Sequence, residues 1–338
     1  MKRYTVFGLL YTRTCPLSCR HCIIESSPKA TGKMTPEIAS AYIRVIPKYS
    51  DQLCFTGGEP LLYYSEIVPL IRQARDLGLL VSLVTGAGWV TQKKPEIARE
   101  RLLGLQAAGL NVLYISWDDY HEEFSPQENA LLLAGIAQEI GLPVRIRGVM
   151  SRSGPNPRIE QKLISINIDY QKINVVRLGH AETLPEEQFT FMELPSPGGC
   201  GTVLQPVVEP DGTVYTCCGP SRSSQRTSPL VLGNTFEEDL DTILDRAIRD
   251  PLLEAINTIG PYGLFHLIQD TPSLRHLLPA RPRYTGVCEL CLDINNVPEI
   301  VQGLRERIAG RDIQTMLAAA HLFNQASPEL RALAHRSM

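Results

Sequence analysis

The first 180 residues alternate short apolar runs with helical patterns, and this alternation constrains the fold more than any other feature. Thr5–Tyr11, Gln52–Phe55, Leu80–Thr85, Val112–Ser116, Val144–Val149 and Ile173–Leu178 read as strands. Thr35-Pro36-Glu37 starts a helix with Pro at the first helical position. Ser65 precedes a second helix over Glu66–Leu77, Gln92–Ala108 carries a third, and Ser125-Pro126 opens a fourth. Six βα units predict an α/β fold with a parallel sheet, either open or wound into a partial barrel. Pro195, Pro197, Gly198 and Gly199 then mark a boundary. Beyond it, Val203–Val208 and Thr213–Thr216 flank Glu209-Pro210-Asp211-Gly212, a hairpin signal. Residues 235–278 read as helical, and a helical tail follows Pro298, with Ser327-Pro328-Glu329 opening its last helix.

Composition narrows the function classes. The net charge of −3 and the lack of a basic block argue against a nucleic-acid partner. The longest apolar run, Leu77–Val84, is far too short to span a membrane. Lys2 and Arg3 are followed only by the short apolar stretch Val6–Leu10, which is no secretory signal. A cytoplasmic location is therefore expected, where structural disulfides are rare. The nine cysteines then call for metal, cluster or redox chemistry.

Three of the nine lie in Cys15-Pro16-Leu17-Ser18-Cys19-Arg20-His21-Cys22, directly after the first strand. In βα barrels the loops at the C-terminal ends of the strands carry the chemistry. Three thiolates on one tight loop can hold three irons of a [4Fe–4S] cube and leave the fourth iron open. The spacing alone also suits a structural zinc with a distant fourth ligand. The second strand ends in Cys54-Phe55-Thr56-Gly57-Gly58-Glu59-Pro60 on the same expected face. Two glycines allow close backbone approach to a ligand, and Glu59 could accept from an amine.

Together the C-x3-C-x2-C loop and Gly-Gly-Glu-Pro resemble the radical S-adenosylmethionine (SAM) superfamily. The resemblance implies that Cys15, Cys19 and Cys22 bind a [4Fe–4S] cluster whose open iron is chelated by SAM. It implies that Gly57, Gly58 and Glu59 meet the SAM amine, and that Ser116 and Asp118 face its ribose. Arg147 matches a position that binds the carboxylate in relatives, a task suited to a bidentate guanidinium. Thr85-Gly86-Ala87-Gly88 departs at Ala87 from the Asn common in relatives.

Cys200, Cys217 and Cys288-Glu289-Leu290-Cys291 resemble auxiliary-cluster modules of the SPASM or shorter twitch type. Four thiolates saturate one [4Fe–4S] cube, and they also suit closed zinc. Cys218 is left over. Neighbouring side chains on a strand face opposite ways, so Cys218 is expected to face away from whatever Cys217 binds. The swapped assignment stays open, and Cys54 is expected in the core.

Ser116-Trp117-Asp118-Asp119-Tyr120-His121, the Asp-Gly hairpin and Cys217-Cys218-Gly219-Pro220 sharpen the resemblance, toward twitch-type peptide epimerases. This implies maturation of a ribosomal precursor peptide by Cα inversion, with Cys218 as hydrogen donor. It also implies either a separate leader-recognition protein or direct peptide binding, and an electron donor of flavodoxin or ferredoxin type. His121 would orient substrate or SAM, or serve structure, and Asp211 would lie near the site or simply serve its turn. Backbone excision, crosslinking and carbohydrate epimerisation or dehydrogenation start from the same radical. A non-catalytic iron–sulfur or zinc scaffold would need no Gly57–Pro60 motif. The expected units are a partial (βα)6 barrel over 1–190, an auxiliary domain over 191–297 and a helical tail over 298–338.

Overall fold

The computed structural model describes residues 4–154 and 157–325. β1 (Phe7–Thr12), β2 (Gln52–Gly57), β3 (Leu80–Thr85), β4 (Leu110–Ser116), β5 (Val144–Met150) and β6 (Tyr170–Asn174) pair consecutively in parallel. Between them run α1 (Pro36–Val45), α2 (Tyr64–Asp76), α3 (Pro95–Ala108), the short α4 (Asp119–Glu122), α5 (Gln127–Glu139) and α6 (Pro157–Ser165). The barrel stays unclosed. β7 (Val207–Val208) adds in parallel to β1, and β8 (Thr213–Tyr215) and β9 (Val231–Asn234) follow antiparallel. The sheet order is β6-β5-β4-β3-β2-β1-β7-β8-β9.

The two faces of the sheet differ in chemistry. Leu53, Phe55, Val81, Leu83, Leu113, Ile115 and Ile146 are buried against helix residues such as Ile67, Ile71, Leu102, Leu105 and Leu133. The opposite face carries Cys54, Thr56, Ser82, Tyr114, Ser116, Arg147 and Gln171 and lines an open cavity of about 630 Å³. A parallel sheet covered on both sides would be apolar on both. This polar face is therefore available to a ligand.

Helix starts follow the sequence closely. The Thr35 side chain accepts from the Ile38 N–H at the start of α1, and Pro126 precedes α5. The sixth strand departs from expectation: it begins at Tyr170 and ends before the apolar run of Val175–Leu178. As an edge strand it needs no apolar residues, and Val175 instead joins a small core with Ala181, Leu184 and Phe189. The hairpin forms as expected, with Gly212 at φ +80° and its N–H bonded to the Glu209 carbonyl at 3.0 Å. However, β8 ends at Tyr215, so Cys217 and Cys218 lie in a bend after the strand.

The rest of the chain forms α7 (Leu240–Ala247), α8 (Pro251–Asp270), α9 (Val287–Asn295), α10 (Pro298–Ile308) and α11 (Arg311–Gln325). The expected helix after Ser327 lies outside the described residues. No helix among the described residues is long and apolar enough to cross a membrane. α8 breaks at Gly260, φ +66°, just before Pro261. One turn before the break, the Ile256 carbonyl accepts from the Cys200 N–H at 2.9 Å. The turn before the break thus anchors a cysteine that lies about 60 residues away in sequence.

Candidate active site

Cys15, Cys19 and Cys22 follow β1 on one loop, and all three are free thiols. The Cys22 N–H donates to the Cys19 carbonyl at 3.1 Å, and the Ser26 N–H donates to Cys22 Sγ at 3.4 Å. Leu17 is buried at the centre of the loop, where Gly86 and Gly88 admit it: a Cβ at either would press on its side chain. The three cysteines line a cavity of about 270 Å³ together with Gly57, Gly58 and Ser116. That cavity shares Thr56, Val84, Ser116, His121 and Cys218 with the larger one on the concave sheet face. Burial pushes the Cys15 thiol up to about 12. Three soft sulfur donors facing one cavity fit an iron–sulfur cluster that offers an open site.

The Gly-Gly-Glu-Pro segment works partly as a clamp. A Cβ on Gly57 would collide with the Thr12 carbonyl, and one on Gly58 with the Thr14 carbonyl. The glycines are therefore demanded by the approach of β2 to the cysteine loop, as well as by any ligand. Glu59 is fully buried and accepts from the Leu61 N–H at 3.1 Å, the Thr85 hydroxyl at 2.8 Å and the Gly86 N–H at 3.0 Å. Burial raises its carboxyl to about 7 against the pull of those donors. Its side chain therefore ties two loops together and is absent from the residues lining either cavity.

Ser116 lines both cavities. Asp118 is buried and committed: it accepts from the Val149 N–H at 2.8 Å and lies 2.9 Å from His121 Nδ1. It also caps α4 through the N–H groups of Tyr120 and His121. Burial opposes its charge, but His121 outweighs this and holds it below the usual carboxylate range. Burial likewise opposes charge on His121, and Asp118 reverses the balance, to about 10. Arg147 pairs in register with Ser116 and Gln171. Its Nε donates to Gln171 Oε1 at 3.0 Å, and its guanidinium lies 3.8 Å from the Tyr114 ring centroid. Arg147 lines the larger cavity.

Cys217 and Cys218 part company at the bend. The thiols of Cys217, Cys200, Cys288 and Cys291 are electrostatic neighbours, and burial raises those of Cys217, Cys288 and Cys291. Cys288 and Cys291 share one face of α9 by their i,i+3 spacing. The buried Asn295 amide donates to the Cys291 carbonyl at 2.8 Å and to its Sγ at 3.5 Å. A single zinc would hold its thiolates ~3.8 Å apart, from its ~2.3 Å bonds. Among the described residues these four do not form a group whose donor atoms all lie within 4.8 Å.

Cys218 faces both cavities and is open to solvent there, while the protein around it pushes its thiol up to about 12. Cys54 does not lie in the core as expected. Its neighbours Leu53 and Phe55 point into the helix layer, so strand alternation turns Cys54 to the cavity that Cys218 also lines.

A buried ion network holds the Cys218 segment in place. Glu209, fully buried, meets Arg13 Nη2 at 2.5 Å and Arg222 Nε at 2.8 Å. Arg222 also donates to the Ile24 carbonyl, just after Cys22. The hairpin, the Cys218 bend and the first cysteine loop are thereby joined. Asp211 pairs with Arg13 at 2.8 Å and accepts from the Thr213 N–H, serving the turn and this network. No spacing rule flagged the network, because Arg13 lies 196 residues from Glu209.

Residues 9–144, which hold most of β1, the three-cysteine loop and β2 to β4, match the model of the radical SAM superfamily. The chain carries a radical SAM domain. A domain of this kind implies SAM and a [4Fe–4S] cluster as cofactors. The putative peptide biosynthesis protein YydG of Bacillus subtilis (strain 168) is 22% identical over 300 residues, which cover 84% of this chain and 90% of that protein. A PqqA peptide cyclase of Bradyrhizobium diazoefficiens is 28% identical over 180 residues, 49% of this chain and 44% of the relative. Among solved structures, the histidine-tagged anSMEcpe with bound AdoMet aligns with TM-score 0.51 at 15% identity, covering 94% of this chain and 98% of that one. That likeness concerns the fold, and it extends past the matched radical SAM segment into the C-terminal part.

Proposed function

We propose that this radical SAM protein inverts a Cα centre in a peptide, from L to D, with Cys218 as hydrogen donor. The observation that carries the reading is the divergence at the bend: Cys217 sits with three other thiols while Cys218 lines the cavity beside the first cysteine loop. The names of the two relatives, one a peptide biosynthesis protein and one a peptide cyclase, support a peptide as substrate.

In this reading Cys15, Cys19 and Cys22 hold the SAM-binding cluster, and Cys200, Cys217, Cys288 and Cys291 hold an auxiliary [4Fe–4S] cluster. Gly57, Gly58 and Ser116 line the SAM compartment, and Arg147 takes its carboxylate. Glu59 and Asp118 act indirectly, since their carboxylates are committed to protein groups. When bound, SAM and its cluster supply a 5′-deoxyadenosyl radical able to take hydrogen from carbon. The chain's own task is to orient the peptide, exclude water and return hydrogen from the opposite face. There the Cys218 S–H bond breaks as a Cα–H bond forms. The sulfur radical left behind takes one electron and one proton, the electron from a flavodoxin- or ferredoxin-type donor. Residues 1–190, 191–297 and 298–338 serve as barrel, auxiliary domain and tail.

The test is product analysis in deuterated water, using a precursor peptide encoded beside the gene. Epimerisation adds one mass unit and one D-residue. Loss of two hydrogens, a crosslink or a shortened backbone would replace this reading with oxidation, crosslinking or excision.

A further inference from the structure

The Asp118–His121 pair needs a purpose beyond capping a four-residue helix. A ring nitrogen of His121, a ring nitrogen of His21 and Cys19 Sγ all lie within 4.8 Å of one another. Nδ1 of His121 is engaged by Asp118 at 2.9 Å, which leaves the ring's second nitrogen for sulfur. Asp118 is itself fixed by the Val149 N–H, so the ring has a rigid support. His21 packs alongside: its ring is 4.9 Å from those of His121 and Tyr120. Its Nε2 lies 3.6 Å from Asp118, and its Nδ1 is buried without a hydrogen-bond partner among the described residues. Two imidazoles thus converge on the sulfur of one proposed cluster ligand, and one has an orphaned polar atom.

Three donors this close could also be read as a site for one ion. Cys19 belongs to the three-thiol loop, however, and a sulfur bound to a cluster iron leaves the imidazoles as its outer neighbours. Histidines beside a metal ligand are commonly aligned by a carboxylate. Hydrogen bonds to cluster sulfur are among the factors that set reduction potential. A donated N–H favours the more negative, reduced state and raises the potential.

We propose that His121, aligned by Asp118 and packed on His21, donates a hydrogen bond to sulfur at Cys19 and raises the reduction potential of the SAM-binding cluster. This rests only on Cys19 as a ligand and is independent of the reaction assigned to the enzyme. The test is an EPR potentiometric titration of the reconstituted full-length protein, following the reduced signal that changes when SAM is added. His121→Phe should lower that midpoint by about 59 mV, a tenfold weaker reduction equilibrium for a one-electron couple. The auxiliary signal should stay fixed as an internal control. Asp118→Asn should move the midpoint the same way, and His121→Gln, which keeps an N–H, should move it less. If His121→Phe fails to load iron, the Asp118→Asn and His121→Gln midpoints decide. Unchanged midpoints in iron-loaded variants would overturn the proposal, as would equal shifts in both signals.

Discussion

Cys54 shows what the sequence conveys at the scale of a residue. Its type and its place in a βα strand suggested the core, yet only its neighbours Leu53 and Phe55 are buried there. The sequence Gln52-Leu53-Cys54-Phe55-Thr56 already alternates, and the polar set lines the cavity. The cysteine motifs were legible because their spacing is local. The hydrogen bonds that Glu59 accepts from Thr85 and Gly86, and Asp118 from Val149, arise only in the fold and leave no mark in the sequence. Gly58→Ala tests the clamp. With a backbone carbonyl in the way, the cost should be about 1–3 kcal/mol, and the variant should bind less iron at the first loop. Calorimetry and iron assay on the same preparation measure both.

At the scale of elements, two joints align the cysteines. The first is the break in α8, where Gly260 has φ +66° and a Cβ would strike the Gly198 carbonyl. Gly260→Ala should therefore displace Cys200 and remove auxiliary iron while sparing the first site, as read by iron content and Mössbauer spectra. The second is the Arg13–Glu209–Arg222 network. Glu209→Ala leaves two arginines facing a buried void, and losing one partner of a buried pair costs about 3–5 kcal/mol. Arg13 and Arg222 keep some solvent contact, so the low end, about 3 kcal/mol, is expected in urea unfolding. Sequence pattern located the hairpin through Asp-Gly but not this network, because patterns record near neighbours. It also placed β6 too late, since an edge strand facing a polar cavity carries no apolar signature.

At the scale of the molecule, the unclosed barrel presents a polar inner face with one set of three cysteines at its mouth and a second set of four beyond the hairpin. The parallel sheet was legible from the βα alternation, whereas its strand order comes from the fold. The choice between open sheet and partial barrel was not, because curvature comes from packing. Two clusters predict about eight irons per chain after anaerobic reconstitution, falling to about four when Cys288 and Cys291 are both replaced by Ala. A wild-type value near four, accompanied by zinc, would remove the auxiliary cluster from the account. Replacing Cys218 by Ala in deuterated water separates hydrogen return from radical formation. With Cys218 as hydrogen donor, 5′-deoxyadenosine should still form while both the D-residue and the solvent deuteron at Cα are lost. A Cys218→Ala enzyme that still delivers a deuterated D-residue at the wild-type rate would contradict that role.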